Sequence, residues 1–427
     1  MTRTFLFEGK TKKFFSDDGY PGFVVIENKD DITKNDDPTK TQIMPGKGKF
    51  ATDTTCAVFQ LLKDAGIPVA YEKRLSDTEF LAPLAEEMIS LEVIARRFAA
   101  GSFLKRYPEL ITTSGVPHRF HQLRFELFLK TTNGRVNRKG LEDFYVNADD
   151  PFIANPYEDE WNLFHSKKPN WEVDANLKVP IRASTILPKG VTVAQIEKLT
   201  RKIFLVLESA WGQLGFHFVD FKLEFCFLKG DLMLADVLDA DSWRLRNADW
   251  TGEFSKQLFR DDQPMEKIAA NYQAVARMVQ LFRIPKQAIV IWREFEKDVL
   301  PDFPVVPGAK FENVILSGYK SPKKCIEKLE QLLTEYPEGG VILACVGISN
   351  VLGSILSART SWPVINVAIT AGSFPEDVWS SLRMPGGAPS MTMLSPDNAV
   401  LAALNMLSLK NPAVYALRQL AIEKLDV

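Results

Sequence analysis

Histidine is scarce in this chain: four among 427 residues, and none after His217. Chemistry in the second half must therefore proceed without a local imidazole, and a multi-histidine metal centre is excluded. Cys56, Cys226, Cys325 and Cys345 form no Cys-x-x-Cys and no close pair. That spacing excludes a zinc knuckle or a disulfide frame and reads as four unpaired, buried thiols in a reducing compartment. No apolar run exceeds six residues, too short for a membrane-spanning helix. The first ten residues, broken by Glu8, lack the apolar stretch of a secretory signal, so the expected location is cytoplasmic. An excess of one charge is also missing. Fifty-two basic against 54 acidic residues leave a net charge of −2, which argues against a large nucleic-acid or anionic-membrane footprint. What is present, 46% hydrophobic and 25% charged residues, describes a globular chain long enough for two or three domains.

The pattern along the chain is α/β. Residues 4–7, 13–15 and 23–26 read as strands, and 50–65 as a helix with Val58, Leu61, Leu62 and Ala65 on one stripe before Gly66. Residues 133–180 form a polar, loop-bearing insertion with no chemistry assigned. Residues 193–211 and 265–282 repeat apolar side chains at helical spacing, and Arg283-Ile284-Pro285 marks a domain boundary. Beyond it, strands at 288–292, 314–316, 341–346 and 364–369 alternate with helices at 322–336 and 350–359. Such alternation predicts a parallel sheet covered on both faces. The domain scheme is 1–262, a linker helix at 263–285, and 286–427. A last helix at 412–427 carries Ala413, Leu417, Leu420, Ala421 and Leu425 as a stripe available for subunit packing.

Chemistry concentrates in residues 217–228. Alternate side chains of a strand share a face, so Val219, Phe221, Leu223, Phe225 and Phe227 fall on one side and Asp220, Lys222 and Glu224 on the other. A three-residue loop Lys229-Gly230-Asp231 pairs Leu228 with Leu232 and sets Glu224 opposite Asp236. Facing carboxylates repel unless a divalent cation joins them; the alternative is a solvated charged face. At the N-terminus, Glu8-Gly9-Lys10-Thr11-Lys12-Lys13 offers glycine and lysines at a hairpin tip, where phosphates can approach, without being a Walker A sequence. Hairpin and carboxylate pair together make a coherent ATP–Mg²⁺ site. Arg96 and Arg97, Ala100-Gly101-Ser102, and Asp241-Ser242-Trp243-Arg244 suit a phosphate monoester or a carboxylate, against the commoner fate of surface salt bridging.

These segments resemble the signatures of phosphoribosylaminoimidazole-succinocarboxamide synthetase, in the right order over residues 1 to about 284. The continuation, with Asp377-Val378-Trp379-Ser380-Ser381-Leu382-Arg383-Met384-Pro385 and Leu394-Ser395-Pro396, resembles the class II aminoimidazole ribonucleotide carboxylase fused to that synthetase in animals. The resemblance implies a two-lobed α+β, ATP-grasp or kinase-like domain followed by a three-layer, flavodoxin-like one. It implies ATP-dependent joining of L-aspartate to carboxyaminoimidazole ribonucleotide, with no biotin. By motif, Gly9, Lys10, Thr11, Lys12 and Glu92 would meet ATP, Glu224 and Asp236 would hold Mg²⁺, and Lys12, Asp220 and Lys222 would act in catalysis. Arg96, Ser102, Asp241, Ser242 and Arg244 would bind the ribonucleotide, and Lys256 and Arg260 the aspartate carboxylates. Ser255 replaces the family's usual acidic residue, and Cys226 its glycine. A homo-octamer built through the C-terminal domains is implied as well.

The second domain departs from that pattern. Where the family has Gly-Ser-Thr-Ser-Asp, this chain has Glu294-Phe295-Glu296-Lys297-Asp298; Ser317-Gly318-Tyr319-Lys320 replaces Ser-Ala-His, and Gly347-Ile348-Ser349-Asn350 lacks the arginine. Ser317, Tyr319, Lys320, Gly347, Ser349 and Asn350 are therefore expected to line a degenerate site needing no cofactor, in a domain that is mainly structural. The alternatives are a fully bifunctional enzyme, a small-molecule kinase with the same ATP site, and a non-catalytic scaffold.

Overall fold

The computed structural model describes residues 2–34, 38–136, 138, 141, 144–169, 171–296, 303–389 and 391–425, and divides into two compact units that part between Arg283 and Ile284. Among the described residues, no helix is long and apolar enough to cross a membrane.

Among the described residues, two large sheets organise the first unit, with smaller two-stranded ones beside them. One is antiparallel, in the order Arg3–Glu8, Lys12–Asp17, Phe23–Asn28, Glu79–Pro83, Lys73–Arg74. The other is organised by the 13-residue strand Phe216–Leu228, which pairs along one edge with Leu91–Phe98 and along the other with Asp231–Ala235 and then Trp243–Asn247. Arg119–Leu129 extends this sheet beyond Leu91–Phe98. The polar insertion contributes only two-residue strands, among them Phe152–Ile153 and Leu163–Phe164.

The expected alternation places Val219, Phe221, Leu223 and Phe225 in the core, but it breaks beyond them, where Cys226 is buried and Phe227 only half-buried, and Asp220 on the opposite face is buried as well. The expected register is not. Leu228 pairs with Asp231 and Glu224 with Ala235, because the loop has two residues, Lys229 (φ 53°) and Gly230 (φ 91°). Two successive positive φ values make a primed turn, whose twist matches that of the strands. The shift leaves Asp236 just beyond the paired segment, where it takes φ 66° and turns the chain off the strand.

The first predicted helix spans Lys47–Asp64, three residues longer at its start than the pattern suggested. Its N-terminus is closed from outside, since Asp30 accepts the amides of Gly46 at 3.1 Å and Gly48 at 2.8 Å. A carboxylate there satisfies orphan donors and favours the helix dipole. The helix Val193–Gln213 begins with a capping box formed by Thr192 and Gln195. Met265–Met278, expected as a linker, packs against Lys47–Asp64 within the first unit.

The second unit is a parallel sheet in the order Ala309–Ile315, Gln287–Arg293, Gly340–Val346, Val364–Ala368, Met391–Met393. The last of these strands is missed by the sequence pattern. Gln287–Arg293, Gly340–Val346 and Val364–Ala368 are buried throughout, as expected of strands covered on both faces. The helices Pro322–Glu335 and Val351–Ser357 supply Cys325, Leu329, Leu332, Leu352 and Leu356 to one core. Pro396–Ser408 packs on the sheet too and against Pro412–Ile422. Lys297, Asp298 and Val427, which figured in the sequence expectations, lie outside the described residues.

Asp30→Ala leaves two first-turn amides of an 18-residue helix without acceptors. The expected result is a loss of about 1–2 kcal/mol in unfolding free energy, read by denaturant titration.

Candidate active site

Three lysine–carboxylate pairs meet on the polar face of the long strand. Lys222 Nζ lies 2.6 Å from Glu92 Oε1, Lys12 donates to Asp236 Oδ1, and Lys130 donates to Glu224 Oε1. Lys12 comes from the hairpin whose tip holds Gly9, Lys10 and Thr11. That tip is pinned by Gly9 N–H to the Lys12 carbonyl and Lys29 N–H to the Thr11 carbonyl, both 2.8 Å, while the Lys10 side chain faces solvent. The tip thus delivers an ammonium group to the carboxylate pair.

Burial and the charge of Asp236 push the Glu224 carboxyl up from its ordinary value. Asp236 moves the other way: burial would raise it, but Lys12 and Lys130 outweigh burial and hold it low. Two carboxylates close enough to perturb one another, balanced by lysines, are what a bridging cation would find. Among the described residues, no three His, Cys, Asp or Glu side chains gather around one point. Carboxylate oxygens are donors of the kind a hard cation takes, and two of them would leave its remaining ligands to phosphate and water.

A second cluster runs across the strands as one rung, because Arg244 pairs with Asp220 and Asp220 with Arg96 in the sheet register. Arg244 Nη1 donates to Asp220 Oδ2 at 2.7 Å, and Arg96 donates to that same oxygen. Arg96, expected to touch substrate, is 2% exposed, with its Nε on Glu126 at 2.6 Å; it stands behind Arg244. Gly101 (φ 60°) sits against the Arg244 guanidinium so closely that a Cβ would lie 2.4 Å from Nη2. A side chain there would be strained by the positive φ and would displace the Arg244 guanidinium. Ser102 follows directly, at the start of Phe103–Arg106.

The third cluster surrounds Asp241. Lys47 and Lys256 each place Nζ 3.3 Å from Oδ2, and the Tyr272 hydroxyl donates to Oδ1. Burial would raise the Asp241 carboxyl, but these partners overcome it and hold it well below the usual range. Asp239, which accepts the Asp241 amide at 2.9 Å, is pushed up to about 6 by burial and by the Asp241 charge. The Ser242 carbonyl accepts the Lys222 amide at 2.8 Å, tying this loop to the strand. Arg260 ends the short helix Gln257–Arg260 and acts electrostatically on Tyr272.

Lys130, Lys47, Glu126 and Tyr272 were missed by sequence reasoning. Lys130 follows a strand rather than sitting in a motif, and Lys47 precedes the helix start that the apolar period suggested. For Tyr272 the signal was present, but it read only as a core position.

In the second unit the polar residues gather at the carboxyl ends of the parallel strands, where open sheets bind ligands. Glu294 Oε1 accepts the Gly318 amide at 3.0 Å and the Ser317 hydroxyl at 3.3 Å. Tyr319 O–H donates to Ser349, and the Lys320 ammonium lies 5.4 Å from the Phe295 ring centroid. Asn350 caps Val351–Ser357 through the Gly353 amide at 2.8 Å, and Gly347 lies against the Thr370 side chain.

The SAICAR synthetase family matches residues 5–140 and 164–279, and the AIR carboxylase family matches residues 296–424. A multifunctional protein of Gallus gallus is 30% identical over 430 residues, covering 96% of this chain and 91% of its own. The bifunctional phosphoribosylaminoimidazole carboxylase/phosphoribosylaminoimidazole succinocarboxamide synthetase of Rattus norvegicus is 30% identical over 436 residues, with the same coverages. The chain belongs to this bifunctional family. A phosphoribosylaminoimidazole-succinocarboxamide synthase of Chloroflexus aurantiacus is 32% identical over 288 residues, 64% of this chain and 94% of its own. In the family's terms, all three charged clusters belong to the synthetase unit. The carboxylase match begins at residue 296, after Glu294.

Asp239 offers a pH test of the third cluster. Its folded value of about 6 exceeds the ordinary 3.8, so the folded chain binds more protons than the unfolded chain between those limits, and stability falls as pH rises through them. Asp239→Asn keeps a carbonyl acceptor for the Asp241 amide and removes the repulsion. Its stability advantage over wild type is expected to grow from pH 4 to pH 7, reaching about 2–3 kcal/mol by denaturant titration.

Proposed function

We propose that the first unit joins L-aspartate to carboxyaminoimidazole ribonucleotide with cleavage of ATP to ADP and phosphate, as the synthetase half of a purine-biosynthetic enzyme. The observation that carries this reading is the convergence of Lys12, Lys222, Glu224 and Asp236 at the mouth of the Gly9–Lys10 hairpin. Its two sheets are read as the lobes of an ATP-grasp or kinase-like fold, with Gly9, Lys10, Thr11, Lys12 and Glu92 near the nucleotide. Glu224 and Asp236 would hold Mg²⁺, which supplies charge neutralisation at the transferring phosphate.

In the proposed reaction an oxygen of the imidazole carboxylate forms a bond to the γ-phosphorus as the bond to ADP breaks, giving an acyl phosphate. The aspartate amine then adds to the acyl carbon, phosphate leaves, and the amine nitrogen loses a proton. Lys12 and Lys222 lie where negative charge builds during the first step, and preset ammonium groups stabilise it without reorganisation. Arg244, Gly101 and Ser102 receive the ribonucleotide phosphate, with Asp220 and Arg96 behind them and Ser242 beside Lys222. Lys256 and Arg260, near Asp241, meet the aspartate carboxylates. ADP release is expected to require both L-aspartate and the ribonucleotide, measured by a coupled assay; release independent of L-aspartate would favour a kinase instead. Lys222→Met is expected to lower kcat by about a hundredfold while leaving the melting temperature within a few degrees.

For the second unit, whose strand order 2-1-3-4-5 is read as flavodoxin-like, we propose a role mainly in assembly, toward a cytoplasmic homo-octamer. The support is chemical: the amide and hydroxyl at Gly318 and Ser317 are engaged by Glu294, and the motif segments 294–298, 317–320 and 347–350 contain neither arginine nor histidine. A full chain carrying Lys222→Met is expected to show no carboxylation of aminoimidazole ribonucleotide by bicarbonate-exchange assay. Turnover there would restore the fully bifunctional reading.

A further inference from the structure

Behind the arginine at the Gly101 turn lies a buried ladder of charge whose deepest members, Glu126 and Arg106, have no role so far. Glu126, on Arg119–Leu129 and 5% exposed, accepts Arg96 Nε on one oxygen and an Arg106 nitrogen on the other. Arg106 also donates to the Ser166 carbonyl at 2.5 Å, which ties the polar insertion to the same group. The sequence along the ladder is Arg106, Glu126, Arg96, Asp220, Arg244.

Three cations and two anions leave one positive charge. Arg244 is 23% exposed and every other member 5% or less, so the surplus is presented at the surface, beside Gly101 and Ser102. The weak point is Asp220, whose Oδ2 is shared by Arg96 and Arg244. Among the described residues, the other side-chain anchor that accepts a hydrogen bond from Arg96 is Glu126; the Ala100 carbonyl accepts one at 3.3 Å, and the guanidinium lies 5.8 Å from the Phe103 ring centroid. With that anchor gone, a buried guanidinium would claim Asp220 through a forked pair, as desolvated arginines do, and Arg244 would lose the acceptor that aims it.

We propose that Glu126 is a positioning residue for the ribonucleotide phosphate: by holding Arg96 on its far side, it keeps Asp220 available to orient Arg244 against Gly101. The proposal rests on the reading that Arg244 receives that phosphate, and on nothing in the ATP site. It predicts an effect on one substrate only.

The test is steady-state kinetics on the full chain, varying each substrate in turn. Glu126→Gln is expected to raise the KM for carboxyaminoimidazole ribonucleotide about tenfold or more, with the KM values for ATP and L-aspartate within twofold of wild type. Arg106→Met, which frees Glu126 to bind Arg96 alone, is expected to leave all three within twofold. The double variant Arg106→Met/Glu126→Gln restores the charge balance and is the partner to use where the single variant folds poorly; its ribonucleotide KM is expected to remain raised. A double variant with wild-type KM would show that Glu126 serves charge balance only and would overturn the proposal. So would parallel changes in all three KM values, or none. An inactive wild type would instead overturn the underlying synthetase reading, which separates the two failures.

Discussion

Everything at the first site follows from one constraint: Asp220, Lys222 and Glu224 share a face of a strand whose other face is core, so none of them can turn away from the neighbouring strands, and the largely buried Asp220 and Glu224 cannot be left unpaired. Buried charge without a partner costs several kcal/mol, and the sheet answers with neighbours of opposite sign on the adjoining strands. Arg96 and Arg244 flank Asp220 in the same rung, and Glu92 reaches Lys222 from the strand beside it. Glu224 is the exception. Its nearest charged neighbour of the same sign is Asp236, and the lysines that offset the pair come from the hairpin and from the end of Arg119–Leu129. The site is where the sheet's own pairing fails to neutralise the charge.

That failure has a backbone cause. Phe216–Leu228 has two successive partners on one edge, Asp231–Ala235 and Trp243–Asn247, and the chain must leave the first before it joins the second. It leaves at Asp236, in a left-handed conformation that aspartate tolerates better than most residues. The loop from Asp236 to Ser242 therefore lies over the middle of the long strand, bringing Asp236, Asp239 and Asp241 toward Lys222, Lys12, Lys47 and Lys256. Strand interruption and charge concentration are the same event.

The parity of the long strand was legible because alternation is local and survives any error in register. The register was not legible. Two-residue and three-residue loops both accommodate Lys229-Gly230-Asp231, and the choice depends on a positive φ at Lys229 that no composition rule demands. The error had little consequence, since the turn at Asp236 returns that carboxylate to Glu224's neighbourhood. Lys47, Lys130 and Glu126 were invisible for a different reason. None has a local pattern that sets it apart from a solvated charge: Lys47 lies between glycines, Lys130 ends an apolar run and Glu126 interrupts one; only the third dimension reveals that Lys47 is 2% exposed and Glu126 5%. The parallel sheet of the second unit was legible from its apolar runs, whereas Met391–Met393, three residues at an edge, carries too short a pattern to stand out.

The two units place their polar groups in opposite relation to the core. In the first unit the charge ladder is part of the core, with Arg96, Arg106, Glu126 and Asp220 all buried, so the groups behind Arg244 belong to the packing itself. In the second, the core is an apolar cluster of sheet and helices, and the polar groups sit on loops beyond the strand ends. Glu294 can supply the acceptor that the Gly318 amide and Ser317 hydroxyl require, and the sheet beneath is indifferent to whether that acceptor is the chain's own carboxylate or a ligand. A polar edge so weakly coupled to its core can change while the fold persists. A charged rung built into the core has less of that freedom.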